Sequence, residues 1–347
     1  MSFLNAVATA APSNDIHRAF LQWADIQLEG RRDRALFQRM ASRSGIAHRF
    51  SVLGDALSDP AGEAGFYSPG QVPRTSERMA VYAEAAPTLA LQAIAGLGEG
   101  GVEGVTHLVV ASCTGFVAPG IDQILARALG LDPAVERTLI GFMGCYAAVN
   151  ALRTAWHIVR SRPDAKVLVV TVELCSLHLQ ATHNLESLLA MMLFADGAAA
   201  AIVSGEPTGL EITEPFSRAL PDSGELITWT IGDAGFEMGL SGEVPSRIIA
   251  ALGDPAAREA LGFDGHVDAW AVHAGGRSIL DAVEQALRLG PEALGDSRAI
   301  LHEFGNMSSS TLMFVLARMI GREIADGRAM AFGPGLAVEG FRFRSAG

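Results

Sequence analysis

The segment Lys166-Val-Leu-Val-Val-Thr-Val-Glu173 constrains the fold of this chain more than any other. A strand that reads as an unbroken apolar, β-branched run is buried on both faces, which requires helices packed on either side of its sheet. Residues 106–111, 137–142 and 198–203 read as further strands, with helical spacing over 121–131 and 146–159. The second half repeats the theme: a strand at 268–273, helices at 278–289 and 309–320, and strands at 328–332 and 337–343. Alternation of this kind predicts an α/β protein. No repeat of fixed period links the halves, so their similarity is one of pattern. In each half an apolar strand ends at a polar or reactive residue and a helix begins, the place where α/β sheets gather ligands. The Pro/Gly/Ser-rich stretch 205–224 is the expected boundary, dividing an N-terminal half, 1–205, from a C-terminal half, 206–347.

With 347 residues, 49% of them hydrophobic, the chain has material for a large core, and disorder is excluded. Two apolar stretches, 139–159 and 187–204, have nearly the length of a membrane span. The first carries Asn150 and Arg153 and the second Asp196 and Gly197, so both are read as core elements. Residues 1–15 contain no basic residue and too short an apolar run for a secretory signal, and a cytoplasmic location is expected. Cys113, Cys145 and Cys175 are too few for a disulfide framework and lack zinc spacing, so no metal is expected and a special cysteine would be a nucleophile. The net charge of −12 argues against a nucleic-acid partner. Positive charge is nonetheless concentrated at Arg31, Arg32, Arg34, Arg39, Arg43 and Arg49, opposed only by Asp33. That excess could receive an anionic ligand, although a solvated helix face explains it as well.

Cys145 lies in Gly141-Phe-Met-Gly-Cys-Tyr-Ala-Ala, after a strand and at the start of an apolar helix, where the helix macrodipole favours thiolate. A buried inert cysteine is the alternative for any single Cys, but the strand, the Gly-Cys pair and the helix together favour a nucleophile. A nucleophilic cysteine needs a base and a group that holds developing charge. His273 ends the strand Ala269-Trp-Ala-Val-His and is followed by Gly275 and Gly276, which permit close approach of a ligand. Asn306 lies in Glu303-Phe-Gly-Asn-Met-Ser-Ser-Ser, just before another apolar helix. An imidazole and an amide can together stabilise a thioester oxyanion or an enolate.

The segments around Cys145, His273 and Asn306, in this order and at these separations, resemble the catalytic Cys-His-Asn of type III polyketide synthases, the chalcone-synthase-like enzymes. Ala331-Phe-Gly-Pro-Gly-Leu-Ala-Val-Glu339 is similar to the family's C-terminal GFGPG signature, with Ala331 in place of the first glycine and with Gly333 and Pro334 retained. Leu193-Phe-Ala-Asp-Gly resembles the segment of the family's gatekeeper phenylalanine, here Phe194. The resemblance runs from about Arg39 to Phe343. It implies a thiolase-like fold, two similar α/β halves in a five-layered αβαβα core, working as a homodimer on malonyl-CoA and acyl-CoA without metal or redox cofactor. Cys145 would carry the acyl starter, and His273 and Asn306 would polarise the malonyl thioester for decarboxylation. Arg39 and Arg43 fall on positions whose cations bind CoA phosphates, while Leu36 replaces a third.

Departures from the family pattern point to the product. The second gatekeeper position falls on Met238, and Trp229 stands where plant chalcone synthases carry a small residue. Cys113 falls on a cavity-lining position, and Ala118 replaces a methionine that commonly crosses the dimer interface. Glu173-Leu-Cys-Ser-Leu-His178 is similar to bacterial rather than plant members, and places His178 beside the cavity; Ser308 follows Asn306 into it. These changes suit a long aliphatic starter and an alkylpyrone or alkylresorcinol product, while core packing remains the plainer role for Trp229 and Met238. The alternatives are a ketoacyl-ACP synthase III, a Cys-His-Asn hydrolase, and a non-catalytic acyl-CoA binding protein. The ketoacyl synthase would show Gly-Ala-Asn where this chain has Gly305-Asn306-Met307. A binding protein has no need of all three polar residues.

Overall fold

Both faces of the Lys166–Leu174 strand are covered, and the helices that cover them order the whole molecule. The computed structural model describes residues 1–54, 66–67, 72–263 and 265–347. The first half runs β1 (Phe3–Ala10), β2 (Asn14–Asp15), α1 (His17–Gln27), α2 (Arg31–Ala41), β3 (Phe50–Ser51), α3 (Thr75–Ala95), β4 (His107–Ser112) and α4 (Ile121–Ala128). It continues with β5 (Glu136–Gly141), α5 (Ala147–Ser161), β6 (Lys166–Leu174), α6 (Leu185–Met191) and β7 (Asp196–Ser204). The second half opens with β8 (Leu210–Ala219), the hairpin β9 (Ile227–Gly232) and β10 (Gly235–Leu240), α7 (Val244–Gly253) and α8 (Pro255–Ala260). It closes with β11 (Ala269–Val272), α9 (Arg277–Leu287), α10 (Gly295–Phe304), α11 (Ser310–Ala317), β12 (Gly327–Gly333) and β13 (Ala337–Ser345).

Nine strands form one mixed sheet in the order β11-β12-β13-β8-β1-β7-β6-β4-β5. The run β4-β6-β7-β1 in the first half matches β11-β12-β13-β8 in the second: one parallel pair, then two antiparallel pairs. The halves meet edge to edge where β1 pairs with β8 through Phe3 and Leu4. Side-chain alternation then builds five layers. Val109, Val167, Val169 and Ala201 face inward, with Ala329 and Phe341 of the other half, onto α5 and α11. Leu108, Val110, Leu168 and Val170 face outward onto α3 and α4. Trp270, Val272 and Met330 face outward onto α7 and α9. Each fully buried Val or Leu of this kind contributes about 1.5–3 kcal/mol, which explains the unbroken apolar runs. Seven of the eight residues of α11, Ser310 to Leu316, are buried, as suits a helix at the centre of the stack.

Of the expected boundary stretch 205–224, residues 205–209 and 220–224 are turns, but 210–219 between them is β8, hydrogen-bonded to both β1 and β13. The stretch reads as a linker because the outer end of β8 is exposed and polar, while Leu210 and Ile212 are buried. Both candidate membrane stretches are core: the first is β5 leading into α5, the second α6 leading into β7. Among the described residues no helix is long and apolar enough to cross a membrane.

Candidate active site

Cys145 is the middle residue of a 3-10 turn, Gly144–Tyr146, that joins the end of β5 to α5. The chain turns sharply there, with Phe142 at φ 57° and Gly144 at φ 72°. A Cβ on Gly144 would strike the Pro334 ring, and one on Gly333 the Tyr146 ring; the Tyr146 hydroxyl donates to the Pro334 carbonyl at 3.1 Å. The Gly333-Pro334 turn after β12 therefore clamps the cysteine turn across the two halves. Gly333 faces Tyr146 and is not among the residues of the cavity wall.

The expected thiolate bias is not what the surroundings of Cys145 produce. The helix proper begins two residues later, and burial pushes the thiol up to about 11, with Glu173 adding to the rise and Ser308 and Asn306 opposing it. The Ser308 hydroxyl is 3.7 Å from Cys145 Sγ and 3.2 Å from Cys113 Sγ, held by a left-handed backbone at φ 47°. Asn306 follows Gly305, also left-handed at φ 72°. Its side-chain oxygen accepts from the Ser308 N–H at 2.9 Å, and its amide nitrogen donates to the Gly275 carbonyl at 3.1 Å. That pairing links the loop after β11, which carries His273, to the start of α11.

His273 is 1% exposed, and neither ring nitrogen has a hydrogen-bond partner among the described residues. Burial pushes its pKa down to about 3, so the resting imidazole is neutral. A Cβ on Gly275 would lie 3.5 Å from His273 Nε2, so the bare glycine leaves the edge of the ring clear. Gly276 is extended and opens α9. A buried imidazole with both nitrogens unsatisfied costs about 1–3 kcal/mol per group, and leaves both nitrogens free to bond a ligand.

Cys145 opens onto a cavity of about 320 Å³ whose walls include Cys113, His178, Phe194, Trp229, Met238, Ser308 and Pro334. All three cysteines of the chain line it. Trp229 and Met238 face each other across the β9–β10 hairpin, and the indole N–H donates to the Cys113 carbonyl at 2.9 Å. His178 is pinned at both nitrogens: Nε2 lies 2.6 Å from the Thr114 carbonyl, and Nδ1 accepts from the Phe236 N–H at 3.0 Å. With its pKa down at about 3 from burial, it is a neutral wall rather than a proton shuttle. His273, Asn306, Gly275 and Gly276 do not line the cavity; Asn306 is bonded to Ser308 of its wall and to Gly275, in the loop that carries His273.

In the sequence Glu173 stands only as the end of a strand and the first residue of the segment Glu173–His178, with no role of its own. The structure buries it completely, accepting from the Cys113 N–H at 3.0 Å, the Thr114 hydroxyl at 2.9 Å and the Ser309 hydroxyl. Burial pushes this carboxyl up to about 7. A carboxylate closing a wholly apolar strand was the available signal. Arg39 and Arg43 are exposed at the end of α2, away from the cavity wall. Arg277, unnoticed in the sequence, donates to the Arg43 carbonyl at 3.2 Å and brings these cations next to Gly276. Arg49 does not belong to that surface: it is fully buried beneath Phe194. Among the described residues no group of His, Cys, Asp or Glu is placed to hold a metal ion.

Two matched α/β halves with a cysteine at the strand-to-helix turn of the first are the thiolase-like fold. Residues 2–207 match the N-terminal domain of the chalcone and stilbene synthases, and residues 211–347 match the C-terminal domain. The alpha-pyrone synthesis polyketide synthase-like Pks18 of Mycobacterium tuberculosis is 36% identical over 77% of this chain and 72% of its own. The crystal structure of PKS-I from the brown alga Ectocarpus siliculosus superposes with a TM-score of 0.88 at 30% identity, covering 99% of this chain and 98% of that one. The C-terminal type III polyketide synthase domain of Steely1 from Dictyostelium gives 0.88 at 26% identity, covering 100% and 99%. The chain belongs to the chalcone and stilbene synthase family. It is a type III polyketide synthase, an acyltransferase.

Proposed function

We propose that the protein extends a fatty acyl starter, carried on Cys145, with malonyl-CoA and closes the chain to an alkylpyrone, alkylresorcinol or related phenolic. The observation that carries this reading is the apolar cavity onto which Cys145 opens, with Asn306 bonded both to Ser308 of its wall and to the loop that carries His273. Leu179, Ala190, Met191, Ile227, Trp229 and Met238 supply walls that suit an alkyl chain. The pyrone named in the description of the Mycobacterium relative supports a lactone product.

The chemistry divides among the residues. A thiol at about 11 and an imidazole at about 3 each resist charging alone, but moving the thiol proton to His273 creates a pair without net charge. The thiolate attacks the starter thioester, and coenzyme A leaves with the proton. Malonyl-CoA then loses CO₂, and the electrons of the broken bond pass to its thioester oxygen, held by the His273 N–H and the Asn306 amide. The enolate carbon attacks the Cys145 thioester and the thiolate is released. No electron is gained or lost overall, so no redox cofactor is called for. Arg39, Arg43 and Arg277 offer cations for the CoA phosphates. We place the reaction in the cytoplasm, where CoA thioesters are made.

Incubation with malonyl-CoA and acyl-CoAs of graded length, read by mass spectrometry, is expected to give pyrone or resorcinol masses that are most abundant with long starters. Exclusive use of malonyl carrier protein would overturn the reading. Trp229→Gly, which empties one wall, is expected to change product size or ring type. An unchanged product spectrum would remove Trp229 from the residues that shape the cavity.

The homodimer is supported by β5. It is an edge strand with one unpaired side, exposed along most of its length, with Leu139 44% exposed beside an exposed Phe116 and Ala118. Free apolar edges of this kind pair with another chain. The wild type is expected to elute at twice its 36.4 kDa mass, and Phe116→Lys with Leu139→Lys at the monomer mass. Light scattering on the two proteins tests this, and a monomeric wild type would refute it.

A further inference from the structure

Arg49 is fully buried with no ion-pair partner among the described residues, an expensive arrangement that calls for a reason. Burial lowers its pKa to about 9, with Asp15 and Asp196 partly offsetting the loss. It lies just before β3, where its own N–H donates to Asp15 at 3.3 Å. The guanidinium sits 4.4 Å over the Phe20 ring, and Nε donates to His17 Nδ1 at 3.0 Å. Nη1 donates to the carbonyls of Met191, at 3.1 Å, and Phe194, at 2.7 Å. Nη2 is buried with no partner among the described residues.

The same short segment is gripped from its other side by Asn306. The Asn306 N–H donates to the Leu193 carbonyl at 2.8 Å, and the Ala195 N–H donates to the Asn306 carbonyl at 2.9 Å. A Cβ on Gly305 would approach Arg49 Cγ at 2.8 Å and the Leu193 carbonyl at 3.0 Å, so Gly305 rests directly on the arginine stem. Arg49 thus touches the residue before Asn306 and holds two carbonyls that flank the one Asn306 itself uses. No other buried cation among the described residues reaches the loop before α11.

We propose that Arg49 is a positioning residue that sets Asn306 and Phe194 relative to Cys145 by fixing residues 191–195 from behind. The proposal rests on Asn306 holding the enolate. Removing the guanidinium leaves the Met191 and Phe194 carbonyls without that donor, and they relax by moving the 191–195 segment to which the Asn306 backbone is bonded. Cys145 is anchored separately, by Pro334 and Tyr146. Decarboxylation should therefore fall while thiol reactivity holds.

The test compares CO₂ release from malonyl-CoA, iodoacetamide labelling of Cys145 and the folded fraction of the full-length protein. Asn306→Ala is the reference and is expected to lose about 100-fold in CO₂ release. Arg49→Met is expected to lower kcat for CO₂ release by about 10–100-fold, since small displacements of a positioned group cost that much. KM for malonyl-CoA and the labelling rate of Cys145 should stay within about threefold, because burial and Ser308 weigh more on the thiol than Asn306 does. Arg49→Lys, which keeps a charge and donors, is expected to recover part of the loss, and His17→Leu to give a smaller loss of the same kind. If kcat per labelled Cys145 is unchanged in Arg49→Met, or falls only with the folded fraction down to no soluble protein, Arg49 merely supports the fold and the proposal is overturned. Full CO₂ release by Asn306→Ala would instead remove the role of Asn306 itself, and the proposal with it.

Discussion

Cys145→Ala is expected to abolish chain extension, lowering product formation by at least about 10³-fold, while CO₂ release from malonyl-CoA survives within about tenfold. The asymmetry follows from where the groups sit. The acyl chain has one carrier, and neither Cys113 nor Cys175 replaces it, since burial pushes both thiols well up. Decarboxylation asks only for donors at the thioester oxygen, and the Asn306 amide keeps its place through Ser308 and Gly275 without the cysteine. Coupled product and ¹⁴CO₂ assays on one preparation check both halves. Equal loss of the two activities would mean that Cys145 also holds the malonyl thioester.

The second large effect concerns His273. In the Cys145→Ala background, His273→Ala is expected to reduce CO₂ release by a further ~10²–10³-fold, the usual loss for one donor to a developing oxyanion. The pH profile carries the physical argument. With the thiol gone, burial alone sets the imidazole at about 3, well below the ordinary 6.5. From pH 5 upward the ring is then neutral and keeps its one N–H, so CO₂ release should be flat between about pH 5 and 8. Falling pH would charge the ring only on approach to 3, removing no donor above that. A step near 6.5 would show a solvated ring and would refute the burial argument.

Strands β4, β5, β6, β7, β11, β12 and β13 and helices α4, α5, α9 and α11 were legible because their periods are unambiguous. A run such as Val167 to Val172 cannot lie on a surface, and the amphipathic spacing of α9 cannot lie in a strand. β8 was not legible, since Pro215 and a polar outer half mask a strand whose only buried residues are at its start. The cysteine, histidine and asparagine were chemically suggestive one by one, and their flanking motifs made them a set. Arg49 misled for a clear reason: a cation six residues beyond Arg43 looks like part of one basic face until the chain turns inward before β3.

The sequence by itself determined the α/β order and the family, and singled out Cys145, His273 and Asn306 as the candidate trio, because these rest on local period and on short motifs. Only the tertiary structure decided the electrostatic state of that trio. Burial is a sum over both halves, and it reverses the thiolate bias expected of Cys145 and keeps His273 neutral and unpaired. The structure alone also turned Glu173 into a buried hub and Arg49 into a brace, since what touches a side chain across the sheet is not encoded in its neighbours along the chain.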